Sequence, residues 1–170
     1  TPLRDVPCRR LRLADNNISD LSPIIDMPLR EVYIENNLVT DLSVFAGKSL
    51  FQISLSGNPC ADLSPLRTTA VESLFVNDCP VVDLSPLRNT SLWRLSISYT
   101  KVTDISELSG LPLEIFIASG CQISDVSSLA SAQLEELRME DSLLADLTPL
   151  RGLPLKQVLI GGTQVSDISA

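Results

Sequence analysis

Leu29-Arg30-Glu31-Val32-Tyr33-Ile34-Glu35-Asn36-Asn37-Leu38-Val39 runs directly into Thr40-Asp41-Leu42-Ser43, and variants of this run return every 21 residues. The equivalents of Asp41 are Asp20, Asp62, Asp83, Asp104, Asp125, Asp146 and Asp167. Equal spacing with no insertion or deletion marks an internal repeat that spans the chain. The residue after each Asp is aliphatic, from Leu21 to Ile168, and the next is Ser or Thr. Proline then follows at Pro23, Pro65, Pro86 and Pro149. Both ends fall inside a repeat, with Thr1-Pro2-Leu3 in the Ser-Pro-Leu columns and Ala170 in a proline column. The expectation is one array of about eight repeats over residues 1–170, cut from a longer protein.

Within each repeat, apolar residues alternate with period two, as in Leu11 and Leu13, Ile53 and Leu55, or Leu95 and Ile97. That pattern predicts a short strand with one buried face. One strand per repeat, always running the same way, predicts a parallel sheet with neighbours about 4.8 Å apart. Just after the strand comes a column of hydrogen-bond donors: Asn16, Asn37, Asn58, Cys79, Thr100, Cys121, Ser142 and Thr163. A turn leaving the strand inside the protein leaves buried carbonyls, and such a ladder of side chains supplies their partners. Ser followed by Pro suits an N-cap and a first helical position. Only about six residues then remain before the next strand, room for a single helical or 3-10 turn.

The motif LxxLxLxxNxL identifies the chain as resembling the leucine-rich repeat family over its whole length. The Asp-Leu-Ser-Pro-Leu segment resembles the short bacterial repeats of internalin-like proteins, which usually run to about 22 residues. The resemblance implies an α/β fold: a right-handed solenoid with a parallel sheet on its concave face and short helical or 3-10 turns on its convex face. It also implies protein binding, since this family mostly binds other proteins. Internalin-like relatives act at the cell surface as adhesins, and related short-repeat arrays are found attached to signalling enzymes such as serine/threonine kinases.

Composition removes several alternatives. Among 170 residues acidic side chains outnumber basic ones, for a net charge of −8, which is unsuited to nucleic acid. No apolar run approaches the roughly 18 residues of a membrane helix, so no membrane insertion is expected. With no histidine there is no histidine triad, general base or metal ligand. No phosphate-cradling glycine loop or nucleophile elbow is present, so no catalytic residue and no cofactor is expected. The aspartate column raises calcium, but the loops lack the glycine-rich, multi-Asp pattern of calcium repeats. Each Asp is instead expected to hold the turn that follows it, and no metal site is expected. Cys8 and Cys60 fall in apolar columns and Cys79 and Cys121 in the donor ladder, without C-x-x-C spacing, and read as reduced structural thiols. The sequons Asn17-Ile18-Ser19 and Asn89-Thr90-Ser91 read as coincidences of a Ser-rich chain.

The aromatic residues carry the functional signal. Five of the seven, Tyr33, Phe51, Phe75, Trp93 and Tyr99, occupy outward strand positions, and only Phe45 and Phe116 fall in core columns. Tyr33, Phe75 and Ile117 share one column, and Phe51 and Trp93 share another. With Arg94 beside them they predict an apolar patch on the concave face, the mark of a protein-binding surface. Arg9, Arg10, Arg12 and Arg30 at one end and Glu114, Glu135, Glu136, Glu140 and Asp141 at the other suggest a polarised rim that orients the partner. A carbohydrate ligand ranks second, with Trp93 and Tyr99 stacking on sugar rings and Asn77, Arg94, Ser96 and Ser98 supplying polar contacts.

Overall fold

The computed structural model describes residues 6–169, and the end segments Thr1-Pro2-Leu3 and Ala170 lie outside the described residues. Eight strands form one sheet in sequence order: β1 Arg10–Arg12, β2 Glu31–Tyr33, β3 Ser49–Ser54, β4 Ala70–Phe75, β5 Arg94–Ser96, β6 Ile115–Ile117, β7 Glu136–Arg138 and β8 Gln157–Leu159. Every neighbouring pair is parallel and in register at one repeat, as in Val32↔Ile53 and Leu95↔Phe116. Seven 3-10 turns among the described residues, from Ser22–Ile24 to Thr148–Leu150, alternate with the strands. The sheet and the turns form two faces of a solenoid with a single core between them.

That core is assembled column by column. Ile53, Leu74, Leu95 and Phe116 come from the strands, Leu55 from the residue just after β3, and Phe45, Leu66, Leu87 and Leu129 from the turns, all fully buried. Each buried Leu or Ile contributes roughly 1.5–3 kcal/mol of transfer free energy. No repeat collects this alone, because its apolar side chains are covered in part by the adjacent repeats. β3 and β4, six residues each, begin earlier in their repeats than the other strands, at Ser49 and Ala70, each of which keeps a backbone N–H. Ala70 donates that N–H to Lys48 O at 2.9 Å.

Side-chain donors serve the carbonyls at the strand exits. Asn37 Nδ2 donates to Leu13 O at 2.8 Å, Ile34 O at 3.1 Å and Glu35 O at 3.0 Å. Asn58 Nδ2 donates to Ile34 O and Leu55 O, both at 2.8 Å, while its Oδ1 accepts from Val39 N. Asn16 Nδ2 donates to Leu13 O and Ala14 O. Further along, Cys79 Sγ donates to Leu55 O, Cys121 Sγ and Thr100 Oγ1 to Ile97 O, and Thr163 Oγ1 to Ile160 O. Ser142 differs, since its Oγ accepts from Leu144 N at 3.4 Å. All four cysteines are free thiols, and Cys60 donates to Cys79 with sulfurs 3.7 Å apart. The hydrogen bond to Cys79, ahead of burial, raises the Cys60 pKa, and the same bond lowers that of Cys79 against the burial that raises it.

The turn start differs from the expected serine N-cap. Ser22 is the first residue of its 3-10 turn and caps nothing; Leu21 occupies the N-cap position without a side-chain bond. The acceptor is Asp20, whose Oδ1 takes Ser22 N–H at 2.8 Å and whose Oδ2 takes Ser22 Oγ–H at 2.9 Å. The same pair of bonds recurs at Asp41, Asp62, Asp83 and Asp104. A carboxylate two residues upstream reaches donors that a serine hydroxyl, already inside the turn, is too short to reach.

Candidate interaction surface

The concave face departs from strict alternation at five strand entrances, those of β2, β3, β6, β7 and β8. Arg30 N and Glu31 N both donate to Arg9 O, at 2.7 and 3.0 Å, and Phe51 N and Gln52 N both donate to Arg30 O. Glu114 with Ile115, Glu135 with Glu136, and Lys156 with Gln157 repeat the arrangement. Two residues on one acceptor make a bulge, which turns consecutive side chains toward the same face. That is how Phe51 stays 44% exposed while Gln52 beside it also leaves the core. Trp93 holds the Phe51 position two repeats on and is half-buried.

The central column runs Arg12, Tyr33, Ser54, Phe75, Ser96, Ile117, Arg138, Leu159 in unbroken register. Large and small residues alternate in its middle. Ser54 and Ser96 are only 5% and 2% exposed, because the larger side chains on either side cover them. Tyr33, Phe75 and Ile117 are correspondingly half-buried. The patch therefore has lower relief than the expected fully exposed one, with edge contacts shared between neighbouring strands. Arg12 lies 4.6 Å from the Tyr33 ring centroid and Arg94 lies 4.9 Å from that of Phe75, so each cation sits against an aromatic face.

Polar groups around the rings are largely paired with one another. Arg10 meets Glu31 at 2.6 Å, and Tyr33 Oη donates to Glu31 Oε2 at 2.9 Å. The Arg10 hydrogen bond holds the Glu31 carboxyl below its ordinary pKa, and burial with the Glu31 bond raises that of Tyr33. At the other end Glu136 pairs with Arg138 at 2.5 Å and Glu135 with Lys156 at 2.7 Å, which blunts the expected polarity. Asn77 Oδ1 accepts from Ser96 Oγ at 2.7 Å and from Ser98 N at 2.8 Å. Those groups, expected to meet a sugar, are committed within the sheet.

Tyr99 stands apart from the other aromatics. It is not on a strand: β5 ends at Ser96, and Tyr99 lies at the exit rim with φ +58°. Its whole column shares that left-handed backbone: Asp15, Asn36, Gly57, Asp78, Gly120, Asp141 and Gly162 all have positive φ. Glycine, Asn and Asp are the residues that tolerate it. Their recurrence at 21-residue spacing is the signal that would have revealed the rim from sequence.

No protein-family model and no curated protein matches the chain. Solved structures do. An internalin C2 from Listeria monocytogenes is similar over 93% of this chain and 73% of its own, at 26% identity and a TM-score of 0.88. An internalin, InlF, from the same organism is similar over 92% of this chain and 55% of its own, at 30% identity and a TM-score of 0.77. The functional domain of Listeria monocytogenes InlJ, described as including a cysteine ladder, shares the fold at 17% identity and a TM-score of 0.52, with this chain spanning 46% of its length. The 21-residue repeat, the lone 3-10 turns and these likenesses make the chain a leucine-rich repeat protein of the short-repeat, internalin-like bacterial type.

Proposed function

We propose that this chain is a non-catalytic binding module that takes a protein partner on its concave face. The internalin-like fold implies a protein-interaction module. The observation that carries the finer reading is the pair of columns holding Phe51 and Trp93, and Tyr33, Phe75 and Ile117, on one face of an otherwise polar surface. Aromatic side chains bury large areas at small entropic cost and recur as interface anchors. Arg94, held against Phe75, adds a cation at the edge of the patch.

The test is capture from extract of the source organism with two baits, the native chain and Phe51→Ala/Phe75→Ala/Trp93→Ala. A protein kept only by the native bait identifies the partner and supports the concave face as its site. Identical captures sink the concave reading. Circular dichroism of the triple variant should match that of the native chain, because none of the three side chains belongs to the core.

A further inference from the structure

Over its first five strands the concave face is divided by charge across the array, from strand entrance to strand exit. The columns of Arg9, Arg10 and Arg12 carry, from β1 to β5, Arg9, Arg10, Arg12, Arg30 and Arg94 against Glu31 and Glu72. Glu31 is taken up by Arg10 and by Tyr33. Among the described residues Arg12, Arg30 and Arg94 form no ion pair. The exit columns, those of Ala14 and Asp15, hold Asp15, Glu35, Asp78, Glu140 and Asp141 over the eight repeats and no Lys or Arg.

Arg12 and Arg94 bracket the aromatic residues. Arg12 is on β1 and Arg94 on β5, with Tyr33, Phe51 and Phe75 on the three strands between them. Four strand spacings separate the two, about 19 Å. Arg12 lies 4.6 Å from the Tyr33 ring centroid and Arg94 4.9 Å from that of Phe75. Packing on a ring holds a long side chain in place without neutralising its charge. Arg94 is half-buried, and its Nε is covered without a hydrogen-bond partner. A guanidinium fixed but unpaired in this way is completed by a carboxylate from another molecule, in a charge-assisted bond. On the concave-face reading above, we propose that the surface over β1–β5 docks an acidic segment of the protein partner. Carboxylates of that segment meet Arg12 and Arg94, and apolar residues between them cover Phe51 and Phe75. The exit columns set its position across the strands, because a carboxylate displaced toward them meets like charge.

The experiment titrates two synthetic peptides of equal length into the isotopically labelled native chain while amide shifts are followed. Both have Leu-Trp-Leu at the centre; one is flanked by Glu and the other by Lys. Saturable shifts at Arg12, Tyr33 and Arg94 are expected with the Glu peptide and not with the Lys peptide. Arg12→Gln/Arg94→Gln should weaken binding of the Glu peptide at least tenfold. Arg67→Gln/Arg151→Gln removes the same charge at the 3-10 turns and should leave it unchanged. Arg12→Lys/Arg94→Lys should keep the preference for Glu over Lys, and it decides the matter if the Gln variant melts early. Absence of saturable shifts, equal binding of the two peptides, or loss of the preference in the Lys variant overturns the inference. An equal loss in Arg67→Gln/Arg151→Gln overturns it too, because overall charge would then be the cause. Arg12→Gln/Arg94→Gln also serves as a third bait in the capture above. A partner kept by this bait but lost by the triple alanine bait overturns the acidic segment and leaves the concave reading standing. A partner kept by both variant baits overturns both.

Discussion

At the scale of single residues, the aspartate column ties stability to pH. The carboxyls of Asp20, Asp41, Asp83 and Asp125 are held below their ordinary pKa chiefly by the backbone N–H of the Ser two residues on. At Asp146 and Asp167 the side-chain hydroxyl of Thr148 or Ser169 contributes most. A pKa lower in the folded chain than in the unfolded one stabilises at any pH above the unfolded value, about 3.9 for Asp. The stabilisation disappears as pH falls through the folded value. The thermal midpoint should therefore be nearly flat from neutral pH down to about pH 5 and drop below it. Asp41→Asn/Asp83→Asn keeps an oxygen for each serine N–H but has no charge to lose. Its midpoint should fall less steeply with acid than that of the native chain, and equal slopes in a pH series of melting curves would refute the assignment. The whole aspartate column supplies eight of the 21 acidic residues, as many charges as the net charge of −8, so the turns are enough to account for that excess without a ligand.

At the scale of the element, each 3-10 turn offers one position where sequence and shape can be compared directly. Pro23, Pro65, Pro86 and Pro149 fill the second residue of their turns, whereas Ser128 stands there in the turn Ser127–Leu129. The residue after that turn is α-helical at Ala130, φ −59°, as it is at Ile25, φ −59°, after Pro23. Ser128 also buries a hydroxyl with no hydrogen-bond partner. Ser128→Pro should stabilise by roughly 0.4–1 kcal/mol, by restricting the unfolded chain while the folded turn is already proline-shaped. The check is urea unfolding, with a higher midpoint and an unchanged slope; a lower midpoint would show that the two turns differ. These turns, the strands and their parallel order were legible in the sequence because every 21-residue step returns a side chain to the same surroundings. The bulges at the strand entrances were not legible. They arise where two backbone N–H groups share one carbonyl, which leaves no mark on residue type. The left-handed rim column was written in Asp15, Asn36, Gly57 and their equivalents, but Tyr99 among them disguised it as one more outward aromatic. The columns of the aromatic patch were legible. Its low relief was not, because the cover over Ser54 and Ser96 depends on the neighbouring strands as well as on the serines.

At the scale of the whole molecule, stability is a sum of repeats and of the interfaces between them, so position along the array matters as much as residue type. Leu137 on β7 and Val158 on β8 occupy the same inward column and are in register. Leu137, on a strand paired with both β6 and β8, is fully buried, whereas Val158 on β8 is 42% exposed. Leu153, Leu155, Ile160 and Val165 are likewise only partly buried. Among the described residues β8 is paired on one side, with β7. Opening it alone exposes less apolar surface than opening β4 or β5, which are flanked on both sides. Amide protons of β8 should therefore exchange well before those of β4 and β5 under native conditions. Leu137→Ala should cost about 2–5 kcal/mol, as a cavity in a packed core does. Val158→Ala should cost under about 1 kcal/mol, since much of that side chain never leaves water. Equal exchange rates along the sheet would mean that the array opens only as one unit, with interfaces strong enough to tie the last repeat to the centre. Graded rates would place the weakest coupling beside β8 and leave the stretch that carries Phe51, Phe75 and Trp93 as the most persistent part of the solenoid.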